Sequence, residues 1–145
     1  FCFRLYCRKT SSTEKAKLEK IANYVGTSFQ IQDDLINLES LDYAKGRGQV
    51  GEDITEGKIT LMVIHHVNTT KNQRLLDILS MKTKDESLIL EAIRLMVDSG
   101  SLKYADNVQK EYMAKAISIV ESLNGDESAK KSFKAVLEDL LSRNS

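Results

Sequence analysis

Apolar positions recur three and four residues apart along most of this chain, the period of helices packed through one face. The pattern predicts a long first helix from Thr13 to about Ser40, then a loop rich in glycine and charge from Leu41 to Glu52. A second helix is expected to begin at Asp53. Glu56 stands three residues on, as in a capping box, and Lys58 would fall in the second turn. Further helices are expected over Lys71 to Ser80, Asp85 to Asp98 behind Thr83-x-x-Glu86, Leu102 to Leu123 ending at Asn124-Gly125, and Glu127 to Leu141. The expected fold class is all-α, an antiparallel helical bundle within one domain over residues 1–145.

The first helix departs from the usual surface pattern. Successive residues turn by about 100°, so Gln30, Asp33, Asp34 and Asn37 fall in one narrow polar stripe. Leu18, Val25, Phe29 and Ile36 group on a different side, with Ile21 and Leu35 beyond them. Two adjacent carboxylates on a largely apolar helix repel each other and lose water, which is costly unless a cation or donor network compensates. An isolated aspartate pair is ordinarily solvated or paired with lysines. Here the apolar remainder of the helix and the downstream lysine favour a cation site. Magnesium takes oxygen ligands and needs only one or two carboxylates besides substrate phosphate. Asp33 and Asp34 match that count, and Gln30 and Asn37 can hydrogen-bond around the ion.

Composition narrows the alternatives. With 21 basic and 21 acidic residues, no global field favours nucleic acid or an anionic membrane. Apolar runs such as Leu61 to Ile64 are far shorter than the roughly 18 residues a bilayer span requires. Cys2 and Cys7 read as free thiols, and the expected setting is reducing and cytoplasmic. His65 and His66 are neighbours on a helix and diverge too far to share one ion easily, so they read as core or surface histidines.

Phe29-Gln30-Ile31-Gln32-Asp33-Asp34-Leu35-Ile36-Asn37, followed by Gly51-Glu52-Asp53-Ile54-Thr55-Glu56-Gly57-Lys58, resembles the second aspartate-rich motif and lysine segment of the trans-isoprenyl diphosphate synthases. The likeness is greatest to the eukaryotic geranylgeranyl diphosphate synthases, which read FQ-x-x-DD-x-x-N and then ED-(I/L)-TEGK. Val97 to Tyr104 also resembles a turn between late helices of that family. The resemblance implies an isoprenoid-synthase helical bundle and a magnesium-dependent condensation of an allylic diphosphate with isopentenyl diphosphate. By motif position it implies that Asp33 is the main metal ligand, with Asp34 assisting as a ligand or through a lysine. It likewise implies that Gln30 supports the site and that Lys58 holds diphosphate oxygens. The family is commonly dimeric, so a homo-oligomer is expected of the full-length protein.

Two departures affect the site. Many relatives carry a lysine where this chain has Gly48, which leaves Arg47 and Lys45 as candidates for that diphosphate cation. Met62 stands where relatives commonly have proline. More consequentially, the family's first aspartate-rich motif, DD-x-x-D or its longer form, is absent from the 145 residues, as are the basic residues that bind isopentenyl diphosphate. The chain is therefore expected to be the carboxy-terminal half of a longer enzyme and inactive alone. A non-catalytic helical regulatory subunit is the alternative; retention of Asp33, Asp34 and Lys58 argues against it. A terpene cyclase would carry serine or threonine where Asn37 stands.

Overall fold

The computed structural model describes residues 11–39 and 51–142, and every regular element among them is a helix. In chain order these are α1 (Ser12–Glu39), α2 (Glu52–Glu56), α3 (Leu61–Thr70), α4 (Arg74–Met81), α5 (Glu86–Asp98), α6 (Ser101–Glu121) and α7 (Glu127–Ser142). Cys2, Cys7, Lys45 and Arg47 lie outside the described residues.

The chain divides into two compact units, 1–28 with 110–145, and 29–109. In the first, the start of α1, the end of α6 and α7 close on Ile21, Met113, Ala116, Val120 and Leu137. Met113, Ala116 and Val120 recur at the helical interval and line one face of α6. The pairing of α1 with α6 is antiparallel. Lys17 Nζ donates to the Ser122 carbonyl at 2.7 Å, while seven residues further along α1 Tyr24 packs its ring on Tyr112.

The second unit packs α2 to α5 against one another. Leu75, Ile78 and Leu79 of α4 and Ile89, Ala92, Ile93 and Met96 of α5 are buried. Each large side chain so buried contributes about 1.5–3 kcal/mol before entropy is counted. Asp85 rather than Thr83 caps α5, its Oδ1 accepting the Ser87 N–H at 2.8 Å; Thr83 sits further out and accepts the Asp85 N–H. The adjacent histidines of α3 serve separate contacts. His66, buried, meets the Ser99 hydroxyl through Nδ1 at 3.0 Å, whereas His65 meets Ser101 at 2.9 Å and stacks on Tyr104.

The helix expected from Asp53 through Lys58 is a single turn. Gly51 occupies its N-cap without a side-chain cap bond, so the Asp53/Glu56 capping box does not form. Gly57, at φ 72°, ends it in the left-handed region, and Lys58 lies in the link before α3. The physical reason is the second glycine: it reverses the backbone where a continuous helix would need a right-handed residue.

Arg74 joins α4 to α5 through two bonds, Nε to Glu91 Oε1 at 2.7 Å and Nη2 to Oε2 at 2.8 Å. The guanidinium holds the Glu91 carboxyl below the usual glutamate value. An acid with a depressed folded pKa contributes stability above its unfolded value and loses it as pH falls through the folded one. The α4–α5 tie is therefore expected to be intact at neutral pH and to weaken as pH falls below 4.5. In urea titrations at about pH 7 and about pH 4, Arg74→Ala is expected to shrink the midpoint difference. An undiminished difference would assign the acid sensitivity to other carboxylates.

Candidate functional site

The polar stripe of α1 runs along the boundary of its buried face. Ile31, Leu35 and Leu38 point inward, and so does Gln32, a polar residue that the apolar pattern did not mark. Ile36, grouped with the apolar side in sequence, is 41% exposed, because the apolar residues cover a wider arc than the packed one. The step of about 100° between neighbours separates the aspartates. Asp34 turns inward with 7% of its side chain exposed, and Asp33 turns to solvent.

Asp34 has two donors on one oxygen. Lys58 Nζ reaches its Oδ1 at 2.7 Å, and Gln30 Nε2 reaches the same atom at 3.1 Å. Lys58 Nζ also lies 3.4 Å from both carboxylate oxygens of Asp53, whose side chain is 14% exposed. The ammonium thus sits between two carboxylates from different elements, with Asp33 one residue away. The bond to Asp34, above all, raises the proton affinity of Lys58, so its ammonium is charged at neutral pH. Burial pushes the Asp53 carboxyl above the usual aspartate value, against the pull of that ammonium.

The α2 turn sets this position. Gly51 and Gly57, both left-handed, bracket one helical turn, and the Lys58 N–H donates to the Asp53 carbonyl at 2.8 Å. Asn37 Oδ1 accepts the Asp53 N–H at 3.3 Å, joining α1 to the start of that turn. Of the residues singled out in sequence, Gln30 and Lys58 each contact Asp34, Asn37 touches the turn, and Asp33, next in the chain to Asp34, is exposed. The sequence marks Asp53 only as a helix start. Its link to Lys58 spans five residues across a glycine-bracketed turn, so no helical periodicity marks it.

The donor set accommodates magnesium. Among the described residues no three His, Cys, Asp or Glu side chains converge as a metal cage. What is present is one exposed carboxylate, Asp33, beside one already shared with an ammonium, Asp34. An ion that keeps several waters and takes one or two protein carboxylates along with phosphate oxygens fits that set. Carboxylates outnumber the ammonium, so a cation there would be electrostatically welcome.

Comparison with known proteins identifies the family. The sequence model of the family described as Polyprenyl synthetase matches residues 2–96. The chain is 43% identical over 97 residues to a geranylgeranyl pyrophosphate synthase of Dictyostelium discoideum, covering 64% of this chain and 32% of that protein. To the geranylgeranyl pyrophosphate synthase paxG of Penicillium paxilli it is 33% identical over 124 residues, 85% of this chain and 33% of that one. The crystal structure of a geranylgeranyl pyrophosphate synthetase from Pyrococcus horikoshii superposes with a TM-score of 0.75 at 28% identity, over 92% of this chain and 41% of that chain. The chain spans about a third of the length of these sequence relatives. No helix among the described residues is long and apolar enough to cross a membrane.

Proposed function

The chain belongs to the polyprenyl synthetase family, and from that premise we propose that it is the carboxy-terminal part of a magnesium-dependent prenyltransferase. The reaction is the condensation of an allylic diphosphate with isopentenyl diphosphate to a longer polyprenyl diphosphate, of geranylgeranyl length. The observation that carries this reading is the Lys58 ammonium held 2.7 Å from the buried Asp34 carboxylate, with Asp33 exposed one residue before it.

Each residue has a distinct part. Lys58 donates to diphosphate oxygens; Asp34 and Asp53 fix where its ammonium stands. Gln30 holds the Asp34 carboxylate in orientation, and Asp33 is the direct metal ligand. Magnesium, when bound, neutralises charge on the departing diphosphate, which needs no proton transfer. Lys45 and Arg47 are proposed as further diphosphate cations from the stretch of sequence before Gly51. The enzyme is placed in the reducing cytoplasm and, by resemblance, works as a homo-oligomer.

The test is made on the full-length protein carrying this chain. Incubated with geranyl or farnesyl diphosphate and isopentenyl diphosphate, it is expected to yield a longer prenyl diphosphate with magnesium and none after chelation, by chromatography of the products. A folded full-length protein that makes no product under either condition would overturn the reading in favour of a non-catalytic helical subunit.

A further inference from the structure

We infer that Asn37 is a positioning residue for Lys58, acting through the Asp53 peptide rather than on the metal shell; the catalytic side of this inference rests on the function proposed above. Asp53 is the hub of three connections. Its N–H donates to Asn37 Oδ1 at 3.3 Å, its carbonyl accepts the Lys58 N–H at 2.8 Å, and its carboxylate oxygens stand 3.4 Å from Lys58 Nζ. Asn37 and Asp34 are three residues apart and so share one side of α1. The helix that supplies the buried counter-ion therefore also grips the turn that delivers the ammonium.

The rest of the turn makes this grip informative. Asp53 N–H belongs to the first turn of α2, where backbone donors have no partner within the helix, and Gly51 at the N-cap brings no side chain to serve them. The acceptor comes instead from sixteen residues upstream. The Asn37 side-chain oxygen is thereby committed to a backbone donor, a role different from the one its place on the helical wheel suggests. Loss of that acceptor frees the start of α2 relative to α1, and Lys58 swings with it away from Asp34. Misplacing a group that must meet developing charge lowers the rate without removing any charged residue.

The experiment is a double-mutant cycle on the full-length protein, with Asn37→Leu, Lys58→Gln and the pair, plus Asn37→Asp as the variant that keeps an acceptor. Asn37→Leu is expected to lower kcat/KM about tenfold, Asn37→Asp to restore most of it, and the double variant to be no worse than Lys58→Gln alone. Additive losses, or no rescue by aspartate, overturn the inference. Hydrogen exchange read without substrate provides an arm independent of turnover. The Asp53 amide is expected to exchange faster in Asn37→Leu, and unchanged exchange overturns the tether while leaving the proposed function standing. A wild-type protein without prenyltransferase activity overturns that function, and faster exchange in Asn37→Leu would still uphold the tether itself.

Discussion

In the full-length prenyltransferase proposed above, changing Asp33 to alanine is expected to lower turnover by about a hundredfold to a thousandfold, because transition-state charge on a departing diphosphate would lose its neutralising ion. Stability is expected to hardly move. Asp33 faces solvent, and substitutions at such positions ordinarily shift stability by no more than about 0.5 kcal/mol. Asp34→Ala gives the contrast. Asp34 is buried and accepts from both Lys58 and Gln30, so its loss leaves the Lys58 ammonium only the longer contacts to Asp53, releases the Gln30 amide, and costs stability as well as rate. Circular dichroism and turnover measured on both variants separate the roles. Near-normal turnover of Asp33→Ala at saturating magnesium would remove Asp33 from the metal site, whatever Asp34 does.

The pair also marks how far the sequence could be read. Helical spacing places Asp33 and Asp34 in one stripe, yet which of them turns inward depends on where the packed arc of α1 lies. Ile31, Leu35 and Leu38 define that arc, and Ile36, equally apolar, falls outside it. Composition along the helix cannot distinguish those residues. Boundaries of α1, α5, α6 and α7 follow from the three-and-four spacing and from polar caps, so they lie within about two residues of expectation. The segment from Glu52 to Thr70 was less legible. Its apolar residues keep helical phase through Gly57 and the link, so periodicity reads across a break that only the backbone sign of one glycine reveals. The contacts of Asp53 with Lys58 and with Asn37 were not legible for a related reason: the partners stand five and sixteen residues apart with no helical period between them, beyond the reach of a helical wheel.

That glycine carries the second large effect. Gly57→Ala is expected to destabilise the protein by about 3 kcal/mol, as the sum of two costs. A side chain at φ 72° is strained by about 1–2 kcal/mol, and the new Cβ would stand 2.7 Å from the Leu79 carbonyl oxygen. That oxygen belongs to the backbone of α4 and accepts the Lys82 N–H at 3.2 Å, so it cannot yield without loosening the helix end. Gly100 supplies the control. Its φ is 70° but a Cβ there meets nothing within 4 Å, so Gly100→Ala bears the strain without the collision. The difference between the two variants in urea denaturation therefore isolates the approach of Gly57 to α4. In the full-length prenyltransferase proposed above, Gly57→Ala is also expected to lower activity, because the residue that follows it is Lys58, whose ammonium depends on the position of the turn for its 2.7 Å contact with Asp34. Equal destabilisation by the two substitutions would mean that the close approach to the Leu79 carbonyl does not hold the turn.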